Sequence, residues 1–583
     1  MALDKKIINA DFCVVGGGLA GINAAITAAR LGVSVVLIHE RPVYGGNASG
    51  EIRMWACGTR DLYYRETGLS EEINLETFFY NPTRNFALWD ATLYNKVHEQ
   101  ENLTSLLNCV CFDAHTENDT IKFVTAYQTT TQTFYEVHAK YFSDCSGDSI
   151  LAPLSGAEFM IGRESPSDYN EPIRTHQEKD DKTMGNSCLI QARKTNRKVP
   201  FRAPSWAEKV SVEKLKSKNV DLYCPTENFW YIELGGVLDT IKDAETLNKR
   251  LVALCLGVWD TIKNSGEFDA DYFELEFIGF LAAKRESRRM TGDYVLTAND
   301  ILDAKIFPDT IAYGGWPIDD HFPEGFDGNK SNYCISVSKS YGIPYRCLYS
   351  KNITNLFFAG RNISATHLAM SSARVMGTCS IIGQAVGVAA HVACKYGVTP
   401  RGVGERIDEV QQLLLLHDCF IPGVKRTVSD LCKSATLFNA TETVRNGNDR
   451  NFSDQINCES TPNGTPLGYT FDTPTFVNAV KLVFDSDLRR ETYDIDDGEK
   501  YRAMRCNVFD DSPFIGMPVT LAKSFSVTLT YANGSERVIY SDNENKKRNL
   551  IIPVKETPTK LTLTVFENWG GTNKTNIFTF EII

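Results

Sequence analysis

The chain has 583 residues, enough for two or three domains, and its 43% hydrophobic and 23% charged residues are those of a globular protein. A formal net charge of −12 excludes the broad basic surface that a nucleic acid or an anionic membrane requires, leaving room for a local basic pocket. The sixteen cysteines stand mostly inside apolar runs with no Cys-x-x-Cys, which argues for reduced, buried thiols and against an iron–sulfur cluster or a redox dithiol.

Residues 1–10 hold no apolar run of signal-peptide length, which predicts a cytoplasmic protein. Residues 12–15 read as a strand, 16–21 as a glycine-rich turn, 22–31 as an alanine-rich helix and 34–38 as a second strand. This is the βαβ unit of a parallel sheet. A helix follows near 90–101, then alternating strands between 104 and 142 with a turn at 117–119. Residues 163–342 mix helices and strands and read as an inserted α+β substrate domain between two parts of one nucleotide-binding domain, 1–162 and 343–425. A long small-residue helix over 380–390 belongs to the second part; its apolar stretch is broken by Gly383, Gln384, Gly387 and His391 and predicts no membrane span. From 428 to 583 the pattern turns to alternating runs such as FSVTLT and KLTLTV between Asn, Gly and Asp turns, which predicts a C-terminal all-β sandwich.

The turn Gly16-Gly17-Gly18-Leu19-Ala20-Gly21 has Gly-x-Gly-x-x-Gly spacing between a strand and a helix. Gly16 permits the turn, Gly18 lets backbone approach a pyrophosphate, Gly21 lets helix and strand pack closely, and Glu40 closes the next strand where it can accept ribose hydroxyls. That fingerprint alone does not separate FAD from NAD. Further segments do: Gly45-Gly46-Asn47-Ala48-Ser49-Gly50, then "SDCSGDSILAPLSGAEFMIGRES" (143–165), "AKRESRRMTGDYVLTANDI" (283–301) and "IPYRCLYSKNITNLFFAGRNISATHLAMSSARVMGTCSIIGQAVGVAA" (343–390).

Over roughly the first 420 residues these motifs, in this order, resemble the bacterial FAD-dependent oxidoreductases built on the glutathione-reductase-like α/β fold. The resemblance implies non-covalent FAD. Gly16, Gly18, Gly21, Glu40 and Arg41, with the Leu19 and Ala20 backbone, would hold its adenosine diphosphate. Gly45, Gly46 and Asn47 would approach the diphosphate and flavin, Val110 would pair its backbone with the adenine, and Ser146 and Gly147 would pass beside the adenosine half. Gly360 and Arg361 would lie at the ribityl chain, and Gly377 and Thr378 would sit at a helix N-terminus near flavin N1 and O2. Arg361 departs from the Gly-Asp found in many flavoproteins of this fold.

Candidate catalytic groups are His367, between the flavin strand and the flavin helix, and His321, in Asp319-Asp320-His321. His367 is a proton-transfer group or an ordinary hydrogen-bonded core histidine; His321 is a proton-transfer group raised in pKa by its acidic neighbours, or part of a surface turn. Arg288 belongs to the cluster Arg285, Arg288, Arg289, which on a helix would share one face and clamp a carboxylate, or else salt-bridge the helix. The C-terminal strands resemble a galactose-binding-like jelly roll in pattern only. Trp569 and Tyr501 are candidates to stack on a sugar ring; the alternative is that this domain packs on the flavin domain or on a second subunit of a homo-oligomer.

Three functions follow. The first is hydride transfer between flavin N5 and a small polar substrate, a sugar or sugar-acid hydroxyl or ketone, with an unidentified electron partner. The second is a fumarate-reductase-like ene-reductase of an unsaturated acid. The third is a carbohydrate-binding protein with structural FAD. No second Gly-x-Gly-x-x-Gly unit for NAD(P)H is visible.

Overall fold

Strand β1 (Asp4–Val15) emerges from solvent and ends in four buried residues, and it is this apolar end that pairs in parallel with β2 (Val35–Ile38), Phe12 opposite Val35 and Val15 opposite Ile38. A parallel pair needs a crossover, which α1 (Leu19–Arg30) supplies; Gly32, at φ 89°, turns the chain out of that helix. Residues 3–172, 175–492 and 500–583 are described in this computed structural model.

The sheet continues through β3 (Leu103–Leu106), β4 (Cys109–Glu117), β5 (Thr120–Gln128), β6 (Thr133–Asp144) and β7 (Leu356–Phe358). Its order is β3-β2-β1-β6-β5-β4, with β7 paired in parallel to the end of β6. Between β4 and β5, Asn118 (φ 47°) and Asp119 (φ 57°) both take the left-handed conformation of a tight hairpin turn, which short polar side chains tolerate. Val15 pairs with Asp144, and Asp144 with Phe358. The loops leaving β1, β6 and β7 therefore emerge together at the carboxyl edge of the sheet, where open α/β sheets bind ligands.

Helix α2 (Met376–Tyr396) packs against α1. A Cβ on Gly383 would lie 2.0 Å from Ala20 O, and one on Gly387 would lie 2.6 Å from Ala24 O, so the two glycines let α2 approach α1 closely. Asn23 Nδ2 of α1 donates to Ser380 O at 3.0 Å. By length and composition α2 would also suit a membrane, but Ile381, Ile382, Val386 and Val388 are fully buried within the fold.

Residues between β6 and β7 build short antiparallel pairs around the helix Ala244–Asn264, whose Leu251, Val258 and Trp259 pack with Phe229, Tyr231 and Phe273. Residues 283–290 form no helix; Ala283–Lys284 and Arg289–Met290 each pair as a short strand, with a bend at Ser287 between them. The helical arginine face expected there does not form.

The chain divides into two units: Met1–Arg60 with Thr83–Val410 and Arg502–Phe514, and Asp61–Pro82 with Gln411–Tyr501 and Ile515–Ile583. Short segments are thus exchanged, which no linear division of the sequence contains. In the first unit Val508 N–H donates to Ala192 O at 2.8 Å and Lys194 N–H to Val508 O at 2.9 Å.

The second unit holds two antiparallel sheets. One runs β8 (Thr436–Phe438), β10 (Leu467–Thr470), β15 (Lys560–Asn568), β12 (Ala522–Thr530), β13 (Glu536–Asp542). The other runs β9 (Glu459–Pro462), β16 (Lys574–Ile582), β11 (Val477–Phe484), β14 (Asn549–Glu556). Rings from the two sheets meet, Phe484 with Phe525 at 4.9 Å and Tyr469 with Phe580 at 5.4 Å. Helix Leu69–Tyr80 belongs here, tied by the buried pair Arg490–Glu71 at 2.7 Å. Trp569 and Tyr501 are half-buried: Trp569 packs on Phe79 and donates its indole N–H to Asn545 O, and Tyr501 packs on Phe78.

Candidate active site

The glycine loops converge on the start of α1. Gly16, at φ 109°, has no room for a side chain, since a Cβ there would lie 2.3 Å from Cys145 O. Gly45 N–H donates to Gly17 O at 2.9 Å, which draws the second glycine loop alongside the first. A Cβ on Gly18, by contrast, would meet only Gly46 Cα, at 4.0 Å. Gly18 is also the N-cap of α1 and offers no side chain to its first-turn N–H groups, so the positive end of the helix is open to an anion. Gly360, at φ 119°, approaches Ala20 on the same helix.

Glu40 and Arg41 follow β2, and Arg41 reaches Gly46 O at 3.3 Å. Cys109 N–H donates to His39 O and Asn108 N–H to Arg41 O, placing Val110 beside them on the edge strand β4. His39, unforeseen in the sequence, accepts the Gly17 N–H on Nδ1 at 3.0 Å and donates from Nε2 to Val43 O at 3.0 Å, fixing the turn between the two loops.

Ser146 donates to Asp144 Oδ1 through both N–H and hydroxyl, and Gly147 lies against the Arg361 guanidinium. The unusual Arg361 has a counter-charge in Asp148, at 2.7 Å, which also binds Lys284 at 2.5 Å. Burial pushes the Asp148 carboxyl up, yet the two cations hold it well below the usual carboxylate range. Asn47 Nδ2 donates to Lys284 O at 3.1 Å, joining the second glycine loop to this cluster.

A cavity of about 420 Å³ adjoins the start of α2. Trp55, Trp230 and Trp316 give it aromatic wall, and Arg60, Arg285, Arg374, Glu227, Asp319 and His321 give it charge. Arg60 lies over the Trp316 ring at 4.4 Å, and Arg374 lies 3.7 Å from Asp319. Cys57 and Val375 line it too, and Cys57 O accepts the Gly377 N–H at 2.7 Å. That N–H is therefore committed within the protein, while Gly377 and Thr378 lie in the first turn of α2, the helix start expected of them. Thr378, the next residue, is buried with its hydroxyl unpartnered.

Residues 11–414 match the family model described as FAD dependent oxidoreductase. The chain belongs to the FAD-dependent oxidoreductase family. It is an enzyme, and its cofactor is FAD. No curated protein matches it. Solved structures similar to it include a geranylgeranyl bacteriochlorophyll reductase-like protein of Thermoplasma acidophilum (11% identity, 71% of this chain and 86% of that one, TM-score 0.29). Another is the quinol fumarate reductase FrdA of E. coli (10% identity, 70% and 75%, TM-score 0.27). A third is a family 32 carbohydrate-binding module from Streptococcus pneumoniae EndoD (15% identity, 27% and 99%, TM-score 0.19). Scores this low carry no weight for the chemistry of the oxidoreductase.

The residues present fit FAD. Gly18 leaves unfilled space above an uncapped helix end, and buried oxygens without partners, Ser49 Oγ, Asn362 Oδ1 and Thr378 Oγ1, stand on the segments around it.

The candidate catalytic groups fare unequally. His367 is sealed in the protein, with Nδ1 2.9 Å from Glu286 and Nε2 3.0 Å from Asp320. Burial pulls its pKa down, but the two carboxylates outweigh it and push it up to about 10. His367 is thus a buried imidazolium with both N–H groups occupied, and the near-neutral base expected of it is corrected. His321 lines the cavity, but its ring is also held at both nitrogens, by Glu233 at 2.6 Å and Asp319 at 3.2 Å, edge-on to Trp230. The three arginines diverge. Arg285 lines the cavity while donating to Ser187 Oγ and Trp230 O; Arg288 donates to Asp148 O and covers Phe159 outside the cavity lining; Arg289 is buried against Glu164 at 3.0 Å. A joint clamp is corrected: only Arg285 serves the cavity, where Arg60 and Arg374 join it.

Glu227 was missed by the sequence reading. It lines the cavity, accepts the Phe229 N–H at 2.6 Å, and has no ion-pair partner among the described residues. Burial pushes its carboxyl up to about 7. An acid between threonine and asparagine before Phe229 and Trp230 carries no pattern that sets it apart from a surface glutamate.

Proposed function

We propose that the protein oxidises a hydroxyl of a small polar substrate, or reduces the matching ketone, with a sugar or sugar acid as the substrate class. The observation that carries this reading is the cavity beside the start of α2, whose tryptophans supply ring faces and whose arginines supply donors for hydroxyl and carboxylate oxygens. FAD, when bound, exchanges a hydride at N5. Gly16, Gly18, Gly21, Glu40, Arg41, Gly45, Gly46 and Val110 hold its adenosine diphosphate half, with Ser146 and Gly147 beside it; Asn47, Gly360, Arg361 and Thr378 flank the rest. Trp230 and Trp316 orient the substrate by its apolar face, and Arg60 and Arg374 hold its oxygens. The C-terminal unit is, in this reading, a galactose-binding-like jelly roll.

A second reading, reduction of an unsaturated acid, is supported by the same two arginines, since a carboxylate is what paired guanidinium groups bind best. Anaerobic spectra of the yellow protein separate the two. Bleaching by a member of a panel of glucose, glucuronate, gluconate and sorbitol is the expected result. No bleaching by any of them, with reoxidation of chemically reduced protein by fumarate, overturns the hydroxyl reading in favour of the second.

A further inference from the structure

We infer that Glu227 is the group that takes the proton from the substrate hydroxyl, and returns it in the reverse direction. The inference rests on the hydroxyl reading above and assigns the acid–base residue within that same cavity.

Three groups compete for this role. His367 is excluded by position, because both ring nitrogens are bound to buried carboxylates and it does not line the cavity. His321 reaches the cavity, but Glu233 and Asp319 occupy its nitrogens. Asp319 is itself engaged by His321 and Asn332 and lies near Arg374, so its lone pairs are committed to an imidazole, an amide and a guanidinium. Glu227 differs from all three. It lines the same space and accepts the Phe229 N–H at 2.6 Å, with no ion-pair partner among the described residues. A carboxylate that protein cations do not neutralise can change protonation state without breaking an ion pair.

The groups facing Glu227 come from several segments. Asp221 is the one charge that acts on it, and it is of like sign. Tyr231 and the Cys506 thiol also interact with its charge, and Arg502 lies over the Trp55 ring of the cavity wall at 4.4 Å. Arg60, Arg285, Arg374, Asp319 and His321 line the same cavity. The fixed loop that presents Glu227 is held by Cys506 N–H to Pro225 O at 2.8 Å and by Asn507 Nδ2 to Leu222 O and Cys224 O.

The step balances simply. The substrate O–H bond breaks and its electron pair becomes the second carbon–oxygen bond; the proton passes to the Glu227 carboxylate. The hydride released from carbon carries the two electrons for which FAD is the oxidant. Because the carboxylate must be free of its proton to act, oxidation speeds up as pH rises through about 7.

The test compares FAD-loaded wild type, Glu227→Gln and Glu227→Asp, using whichever panel sugar or sugar acid bleaches the wild type. Expected are unchanged FAD content and melting temperature in Glu227→Gln, bleaching slowed by about 100-fold or more, and loss of the pH dependence. Glu227→Asp is expected to restore part of the rate with a shifted pH profile. Independently of turnover, infrared titration of the holoprotein is expected to show a protonated carboxyl band that disappears between about pH 6 and 8 in wild type and is missing from Glu227→Gln. Bleaching of Glu227→Gln within a few-fold of wild type, with the same pH profile, or identical infrared titrations of the two proteins, overturns the assignment alone. A wild type that no panel member bleaches overturns the hydroxyl reading and the assignment together.

Discussion

His367 Nε2 lies 3.0 Å from Asp320 Oδ1, with both side chains shut away from solvent and Glu286 closing the other side of the ring. The folded protein holds this imidazole protonated up to about 10, above its ordinary 6.5. Its stabilisation is therefore complete below about pH 6.5 and is lost as pH rises through 10. His367→Ala removes the imidazolium between two buried carboxylates and leaves Glu286 with Arg289 at 3.7 Å as its remaining cation, at a cost of about 2–3 kcal/mol. Urea unfolding between pH 6 and 10 checks both statements: the wild type weakens across that range, while the variant starts lower and changes less.

Two neighbouring glycines should behave oppositely. Gly18→Ala puts a methyl into open space, so the melting temperature changes little while FAD affinity drops by about tenfold or more, the methyl intruding on the place proposed for the diphosphate. Gly16→Ala would place its methyl 2.3 Å from Cys145 O at a backbone φ of 109°, so the fold itself fails. Fluorescence titration of the apoprotein with FAD, beside thermal melts, separates the outcomes; equal affinity in Gly18→Ala and wild type would refute the placement.

In the C-terminal unit, Glu71→Ala strands Arg490, which is buried and also hydrogen-bonded to the Ser486 carbonyl. The expected loss is about 3–5 kcal/mol, with early release of the helix Leu69–Tyr80. Hydrogen exchange of that helix reads it directly, and unaltered protection would show that the pair contributes nothing there.

Trp316→Ala removes the ring under Arg60 and a wall of the cavity. Substrate KM should rise about tenfold with kcat changed less, as for a contact made equally before and during reaction, and the flavin spectrum should not move. A fall in kcat with KM intact would place Trp316 at the reacting centre instead.

What the sequence made legible was local. The spacing Gly16, Gly18, Gly21 and the apolar runs on either side report one strand, one turn and one helix, because turn, helix start and strand end lie within a few residues of one another. The order of the glycine-bearing segments carried the rest of the FAD-binding framework. The catalytic reading failed where chemistry depends on partners far along the chain. His367 finds its carboxylates 81 and 47 residues away, and its own N–H finds Glu164 203 residues away. Nothing in the run Ala365-Thr366-His367-Leu368 announces them. The arginine cluster diverges for a related reason: no helix gathers the three side chains, and a bend at Ser287 parts Arg285 from Arg288 and Arg289.

The exchange of Arg502–Phe514 into the first unit also bears on biosynthesis. Ribosomes deliver the chain from its N-terminus, so the edge at Ala192 and Lys194 stays bare, and the loop that presents Glu227 stays unsupported, until residue 508 has left the exit tunnel. A nascent chain halted near residue 425 would carry every glycine of the nucleotide cradle and yet lack the segment that steadies its acid–base residue. Such a fragment should acquire colour before it acquires competence.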